Sequence, residues 1–207
     1  ITVGRSGILY LGSKGCILKG GETLEATGMR EKLDEGETHA DKISVSGVGG
    51  KSNEKGGDDD EWHGYNPKPL VDVEKSSEAI SKGGIGNHLD KPDNLGKGDS
   101  DTEQTAVELG DKAQTINFRV TNNGTESLTH IKLTDKTLDG NHDVKEIKWT
   151  YNGKALITNK DGALELDGKL LELPVGGYIV GTGTLESITA GEVHSDEITV
   201  SAKGTIS

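Results

Sequence analysis

The sequence contains two copies of one segment, separated by 155 residues. Residues 18–46 align without a gap on residues 173–201, and 12 of the 29 aligned positions are identical. A period of this length is too large for a solenoid unit and suits a whole domain. The repeat therefore predicts modules in tandem and favours a structural function over catalysis. Four further identities lie upstream: Gly7, Leu9, Leu11 and Lys14 match Gly162, Leu164, Leu166 and Lys169.

The repeat also divides the chain. Residues 1–50 correspond to the C-terminal part of a preceding module, and residues 67–207 to a complete module. Between them, residues 51–66 form a Gly-rich stretch with an acidic run, which predicts a linker. Residues 1–50 lack the first strands of their own copy, so we expect them to pair with another chain or to dock on the complete module. Neighbouring repeats of the same protein are the other expected partners.

Apolar and polar residues alternate in short runs between turn sequences. Asn-Gly and Asp-Gly pairs separate the runs, and Asn152-Gly153 and Asp161-Gly162 predict hairpin turns. Only 30% of the residues are hydrophobic and 3% are aromatic, which indicates a thin core. This pattern predicts an all-β fold, an immunoglobulin-like antiparallel β-sandwich. The apolar residues of the alternating runs are Val71 and Val73; Ile116, Phe118 and Val120; Ile131 and Leu133; Ile147, Trp149 and Tyr151; Leu164 and Leu166; and Ile198 and Val200.

Three charged residues occupy positions that should face the core. Residues two apart on a strand face the same way. Lys75 follows Val71 and Val73 at this spacing, Asp135 follows Ile131 and Leu133, and Asp196 precedes Ile198 and Val200. Such groups reach water at strand ends or pair with one another, because an unpaired buried charge is costly.

If the three groups meet, their chemistry permits a covalent bond. Desolvation favours a neutral amine and a protonated carboxyl group. The amine is then a nucleophile, the carboxyl group can lose water to it, and a second carboxyl group can shuttle protons. The product would be an amide between the first and last strands. Asp196 aligns with Asp41 in a shared H-x-D-x-I-x-V pattern, so the two copies agree at this position.

Several motifs resemble the repeat modules of cell-wall-anchored Gram-positive surface proteins and adhesins. They are VDVEK at 71–75, FRVTNNGTESLTHIKLTD at 118–135, AGEVHSDEITVSAKG at 190–204 and DDDEWHGYNPKP at 58–69. The resemblance covers most of residues 66–207 and residues 1–50. It implies an extracellular, cell-wall-attached stalk or adhesin domain. Many relatives carry Lys-Asn or Lys-Asp isopeptide bonds.

By that resemblance, Lys75 is the amine, Asp135 the helper acid and Asp196 the acyl partner. Many relatives have Asn where this chain has Asp196, so water rather than ammonia would leave. Asn122 follows Val120 by two residues and should therefore also face inward, so it is the reserve partner. The expected chemistry is a single autocatalytic turnover, so the module is not an enzyme and requires no cofactor.

An acidic segment supports an alternative function. The stretch 76–105 has little periodicity and reads as a long loop, the kind that often binds ligands. Its carboxylates make Ca²⁺ a candidate cofactor, so the alternative is a Ca²⁺-dependent carbohydrate- or protein-binding module. The formal net charge of −12 argues against nucleic-acid binding, and no apolar run suggests membrane contact. The candidate ligands are Asp90, Asp93, Asp99 and Asp101.

Overall fold

A computed structural model describes residues 2–3, 9–11, 14–84 and 98–207. The chain divides into two compact units, residues 1–32 and 33–207. The first unit holds a small antiparallel sheet of three short strands in the order β1-β2-β3. These are β1 (Thr2–Val3), β2 (Leu9–Leu11) and β3 (Lys14–Gly15).

The second unit is also built from antiparallel strands, joined by turns and a short 3-10 helix at Glu103–Thr105. All-β architecture was predicted from the alternation, and the strands confirm it. The strands are β4 (Thr38–Val48), β5 (Lys55–Tyr65), β6 (Val71–Ser76), β7 (Gln114–Asn122), β8 (Leu128–Asp139), β9 (Lys145–Tyr151), β10 (Lys154–Ala155), β11 (Ile157–Thr158), β12 (Leu164–Leu166), β13 (Lys169–Leu170), β14 (Tyr178–Leu185) and β15 (Ser195–Gly204).

The arrangement of the sheets is consistent with a β-sandwich. A five-stranded sheet has the order β10-β9-β14-β7-β6, and β15 pairs with β8 in a second sheet. Strand β12 adjoins β8 through a bridge between Lys132 and Ala163, and it also belongs to the three-stranded sheet β11-β12-β13. The Asn152-Gly153 turn joins β9 to β10, and both of its residues have positive φ. That geometry matches the right-handed twist of a two-residue hairpin.

The core lies between the inward faces of β7, β8, β14 and the segments around β12. Phe118, Val120, Ile131 and Ile179 are each at most 1% exposed. Trp149 packs beside them, with its ring centroid 5.3 Å from that of Phe118. Aromatic pairs in this tilted arrangement add to the stabilisation that comes from burial alone.

Residues 55–65 differ from the linker predicted for 51–66. They form β5, which pairs with β4 in an eleven-residue antiparallel ladder. The ladder joins backbone groups, so it forms although the strand is rich in glycine and acid. Lys42 on β4 forms ion pairs with Asp59 and Glu61 across the ladder. Strand β4 thus pairs along its backbone with β5 of the same chain, its apolar side chains stay exposed, and the second compact unit begins at Leu33. Pairing of residues 1–50 with another chain stays a prediction.

Strand β14 has no counterpart among the sequence predictions. Its inward positions are Ile179, Gly181, Gly183 and Leu185, so glycine interrupts the apolar alternation. A Cβ atom at Gly181 would lie 2.3 Å from the ring of Trp149. Glycine is therefore required where the indole crosses the strand.

Among the residues described, no helix is long and apolar enough to cross a membrane.

Candidate functional site

Three strands bring the predicted site residues together. Strand β6 is an edge of the five-stranded sheet, and it lies against β15 of the second sheet. Across the β15–β8 ladder, Ile198 is directly opposite Asp135. Lys75, Asp135 and Asp196 thus all reach the gap between the sheets, as strand parity predicts.

The Lys75 ammonium group lies between two carboxylates. Its Nζ atom donates to Oδ1 of Asp135 and is 2.8 Å from Oδ2 of Asp196. The three side chains are only 15%, 8% and 12% exposed, in the order Lys75, Asp135, Asp196. Phe118 lies below the amine, with Nζ 5.3 Å from the ring centroid. The alternative that these charges reach water at strand ends does not describe this site.

The charge of the site favours a proton on one of its two carboxyl groups. Two carboxylates face one ammonium group, so full ionisation would leave a buried negative charge. Burial raises the pKa of Asp135, the Lys75 ammonium opposes that rise, and the Asp196 carboxylate adds to it. Asp135 therefore holds a proton more readily than an exposed aspartate, which suits a proton-shuttling group.

His194 is a fourth member of the site, and the strand alternation did not single it out. Its Nε2 atom lies 3.1 Å from Oδ2 of Asp196, and its side chain is 6% exposed. Its Nδ1 atom is buried and has no hydrogen-bond partner in the part of the chain that the structure describes. The signal in the sequence was the identity of His194 with His39 in the other copy.

The structure does not bring Asn122, the reserve partner, to Lys75. Asn122 pairs with Val71 across the β6–β7 ladder, four residues or about 13 Å from Lys75. Its side-chain amide donates to the carbonyl oxygens of Glu126 and Leu173, and its Oδ1 accepts from the backbone N–H of Gly124. The side chain is fully buried and braces the turn after β7.

The outer face of β6 is also covered, which the alternation did not predict. Asp72, Glu74 and Ser76 are at most 8% exposed. The segment after β6 folds over them, and the backbone N–H of Gly84 donates to Oδ2 of Asp72 at 2.8 Å. Strand β6 is therefore held on both faces, which fixes the backbone that carries Lys75.

The candidate calcium ligands are only partly described. Asp90 and Asp93 lie outside the described residues, whereas Asp99 is buried and Asp101 is exposed near the 3-10 helix. Within the described ranges, no group of three or more His, Cys, Asp or Glu side chains is arranged to hold a metal ion. Calcium binding by this loop stays a prediction.

Comparison with known proteins leaves the site to be interpreted on its own geometry. No protein-family model, no curated protein and no solved structure matches this chain.

Proposed function

We propose that this chain is part of a structural stalk or adhesin of a Gram-positive cell surface, and that its immunoglobulin-like module is strengthened by an isopeptide bond between Lys75 and Asp196. One observation carries the proposal: a largely buried lysine side chain contacts two largely buried carboxylates, one on each of two other strands. The motifs that resemble wall-anchored repeat modules supply the location, and they include all three residues.

The bond forms by loss of one water. The neutral Lys75 amine attacks Cγ of Asp196, a C–N bond forms, and a C–O bond breaks as water leaves. Nothing is oxidised or reduced, so no cofactor enters the reaction. Asp135 contacts Nζ directly and accepts a proton from it.

The positions of the two partners suit the transmission of force. Lys75 lies on β6, the first strand of the module, and Asp196 lies on β15, its last strand. A pulling force that enters at one strand would pass through the covalent bond to the other. The strands between them would then carry no load. The chain has one cysteine, so a disulfide within the chain does not supply this link.

The repeated geometry supports a tandem array. Strands β1, β2 and β3 in the first unit have the same order as β11, β12 and β13, and each lies 155 residues earlier. The turn before β4 also matches the turn before β15. In the first, the Asp34 N–H donates to the Glu37 side chain, and in the second, the Thr189 N–H donates to the Glu192 side chain.

Intact-mass measurement of the purified chain tests the proposal. We expect a mass one water below the sequence mass, and the full sequence mass for Lys75→Ala and Asp135→Ala after the substitution is accounted for. Lys42→Ala is the matched control, because Lys42 forms exposed ion pairs and should keep the water loss. An unmodified mass for the wild-type chain would contradict the proposal.

A further inference from the structure

Only one of the two ring nitrogens of His194 has a hydrogen-bond partner among the described residues, and a purely structural role does not explain this. A histidine buried for stability normally has both nitrogens paired. Here only Nε2 has a partner among the described residues, and that partner is Oδ2 of Asp196. The ring is thus held with one nitrogen directed at the acyl partner of the proposed bond.

The departing oxygen of Asp196 must be protonated. When an ionised Asp forms an amide, one carboxyl oxygen leaves as water and therefore takes up two protons. Two nitrogens contact Oδ2 of Asp196 within the described residues, Lys75 Nζ at 2.8 Å and His194 Nε2 at 3.1 Å. Lys75 is the nucleophile and ends as the amide nitrogen. His194 is the remaining donor at this oxygen.

We propose that His194 is a catalytic residue of isopeptide formation, donating a proton from Nε2 to the departing Oδ2 oxygen of Asp196. This inference rests on the proposed function. Before attack, one Lys75 proton passes to Oδ2. As the C–N bond forms, a second passes to Asp135. The His194 proton then completes the water as the C–O bond breaks. The amide keeps one hydrogen, Asp135 ends protonated, His194 ends neutral, and both exchange protons with solvent.

The charges around His194 agree with this role. The His194 imidazole and the Lys75 amine both contact the Asp196 carboxylate, and Lys75 also contacts that of Asp135. The further acids along the β15–β8 ladder point elsewhere: Glu197 is exposed, and the carboxylate of Asp139 accepts from the backbone N–H of Gly140. General acid catalysis by a positioned side chain contributes about 10²- to 10⁴-fold to a rate.

The other copy provides a matched control. His39 Nε2 lies 2.9 Å from Oδ2 of Asp41, in the same arrangement on β4. That pair is exposed, at 32% and 60%, and the described chain places no lysine against it. Removal of His39 therefore removes an equivalent hydrogen bond without touching the proposed reaction.

The test follows water loss in real time. The chain is purified unfolded from inclusion bodies, diluted into native buffer, and quenched at intervals for intact-mass measurement, while tryptophan fluorescence follows folding. We expect His194→Gln to fold at the wild-type rate and to lose water about 10²-fold or more slowly, because Gln keeps an N–H donor but transfers no proton. His39→Gln should react like the wild type.

Equal water-loss rates in His194→Gln and the wild type would overturn the role of His194 and leave the bond intact. Absence of water loss in the wild type would instead overturn the proposed function.

A second variant decides the matter if His194→Gln fails to fold. His194→Asn is smaller and also keeps an N–H donor, so it should fold and still lose water about 10²-fold or more slowly than the wild type. Equal water-loss rates in His194→Asn and the wild type would overturn the role of His194.

Discussion

Strands β4 and β15 carry the same H-x-D-x-I-x-V pattern and follow the same turn, yet their environments differ completely. On β15, Asp196 is 12% exposed and contacts a lysine. On β4, Asp41 is 60% exposed, and Ile43 is 70% exposed. The strand sequence thus determines the turn and the local His–Asp pair. The sheet that covers the strand determines whether its aspartate is shielded from water and contacts a lysine.

The largest expected effect concerns extension under force. A Lys75–Asp196 bond removes the chain between these residues from the extensible length, roughly 400 Å at ~3.5 Å per residue. We expect the wild-type module to lack this length in single-molecule pulling, and Lys75→Ala to recover it. Equal extension of the two proteins would show that no bond spans the module.

The next comparison removes the aspartate of each strand in turn. Asp196→Ala should lower the free energy of unfolding by about 4–5 kcal/mol, because the cross-link closes a loop of more than about 100 residues. Asp41→Ala should change it by less than about 0.5 kcal/mol, because the residue is exposed. Chemical denaturation measures both. A similar loss in the two variants would mean that β4 is as firmly covered as β15.

Substitution of Ile198 and of Ile43 compares how well β15 and β4 are covered when the covalent bond is absent. Ile198 packs against the core cluster that contains Phe118. In the Lys75→Ala background, Ile198→Ala should cost about 2 kcal/mol, and Ile43→Ala less than about 0.5 kcal/mol. The loss of β-propensity is common to both variants, so the difference reports burial. Equal costs in urea denaturation would contradict the difference in exposure.

The smallest expected effect depends on pH. Burial raises the pKa of Asp135, and removal of the Lys75 ammonium removes the group that opposes this rise. The folded state then binds a proton more tightly than the unfolded state, so the stability that Asp135 contributes is present below its unfolded pKa and is lost as pH rises through the folded pKa. Lys75→Ala should therefore lose stability with rising pH relative to Lys75→Ala/Asp135→Asn. A difference between these two variants that stays constant with pH would contradict the raised pKa.

Strand parity predicted most of the site from the sequence. The positions of Lys75, Asp135 and Asp196 followed from alternation alone, because a side chain two residues from a core residue has no other face to occupy. The alternation of side chains indicates which face of the sheet a residue occupies, but it does not indicate how far apart two residues lie along neighbouring strands. Asn122 also faces inward, yet it lies at the other end of β6 from Lys75, and only the register between strands reveals this.

Strands β14 and β5 escaped prediction for different physical reasons. In β14, glycines stand at inward positions because the Trp149 ring occupies the space of their side chains, so the apolar alternation disappears. In β5, the pairing depends on backbone hydrogen bonds and on charges opposite Lys42, so the composition resembles a linker. The role inferred for His194 was hidden for a third reason, since burial of one ring nitrogen is a tertiary property.

The most direct test of the account is identification of the cross-linked peptide. Protease digestion of the wild-type chain, followed by tandem mass spectrometry, should yield one branched peptide in which the segment containing Lys75 is joined to the segment containing Asp196, one water lighter than their sum. The segment containing Asp41, the counterpart of Asp196 on β4, should appear only as a linear peptide. Linear peptides for both Lys75 and Asp196, or a link from Lys75 to any other residue, would contradict the proposed bond.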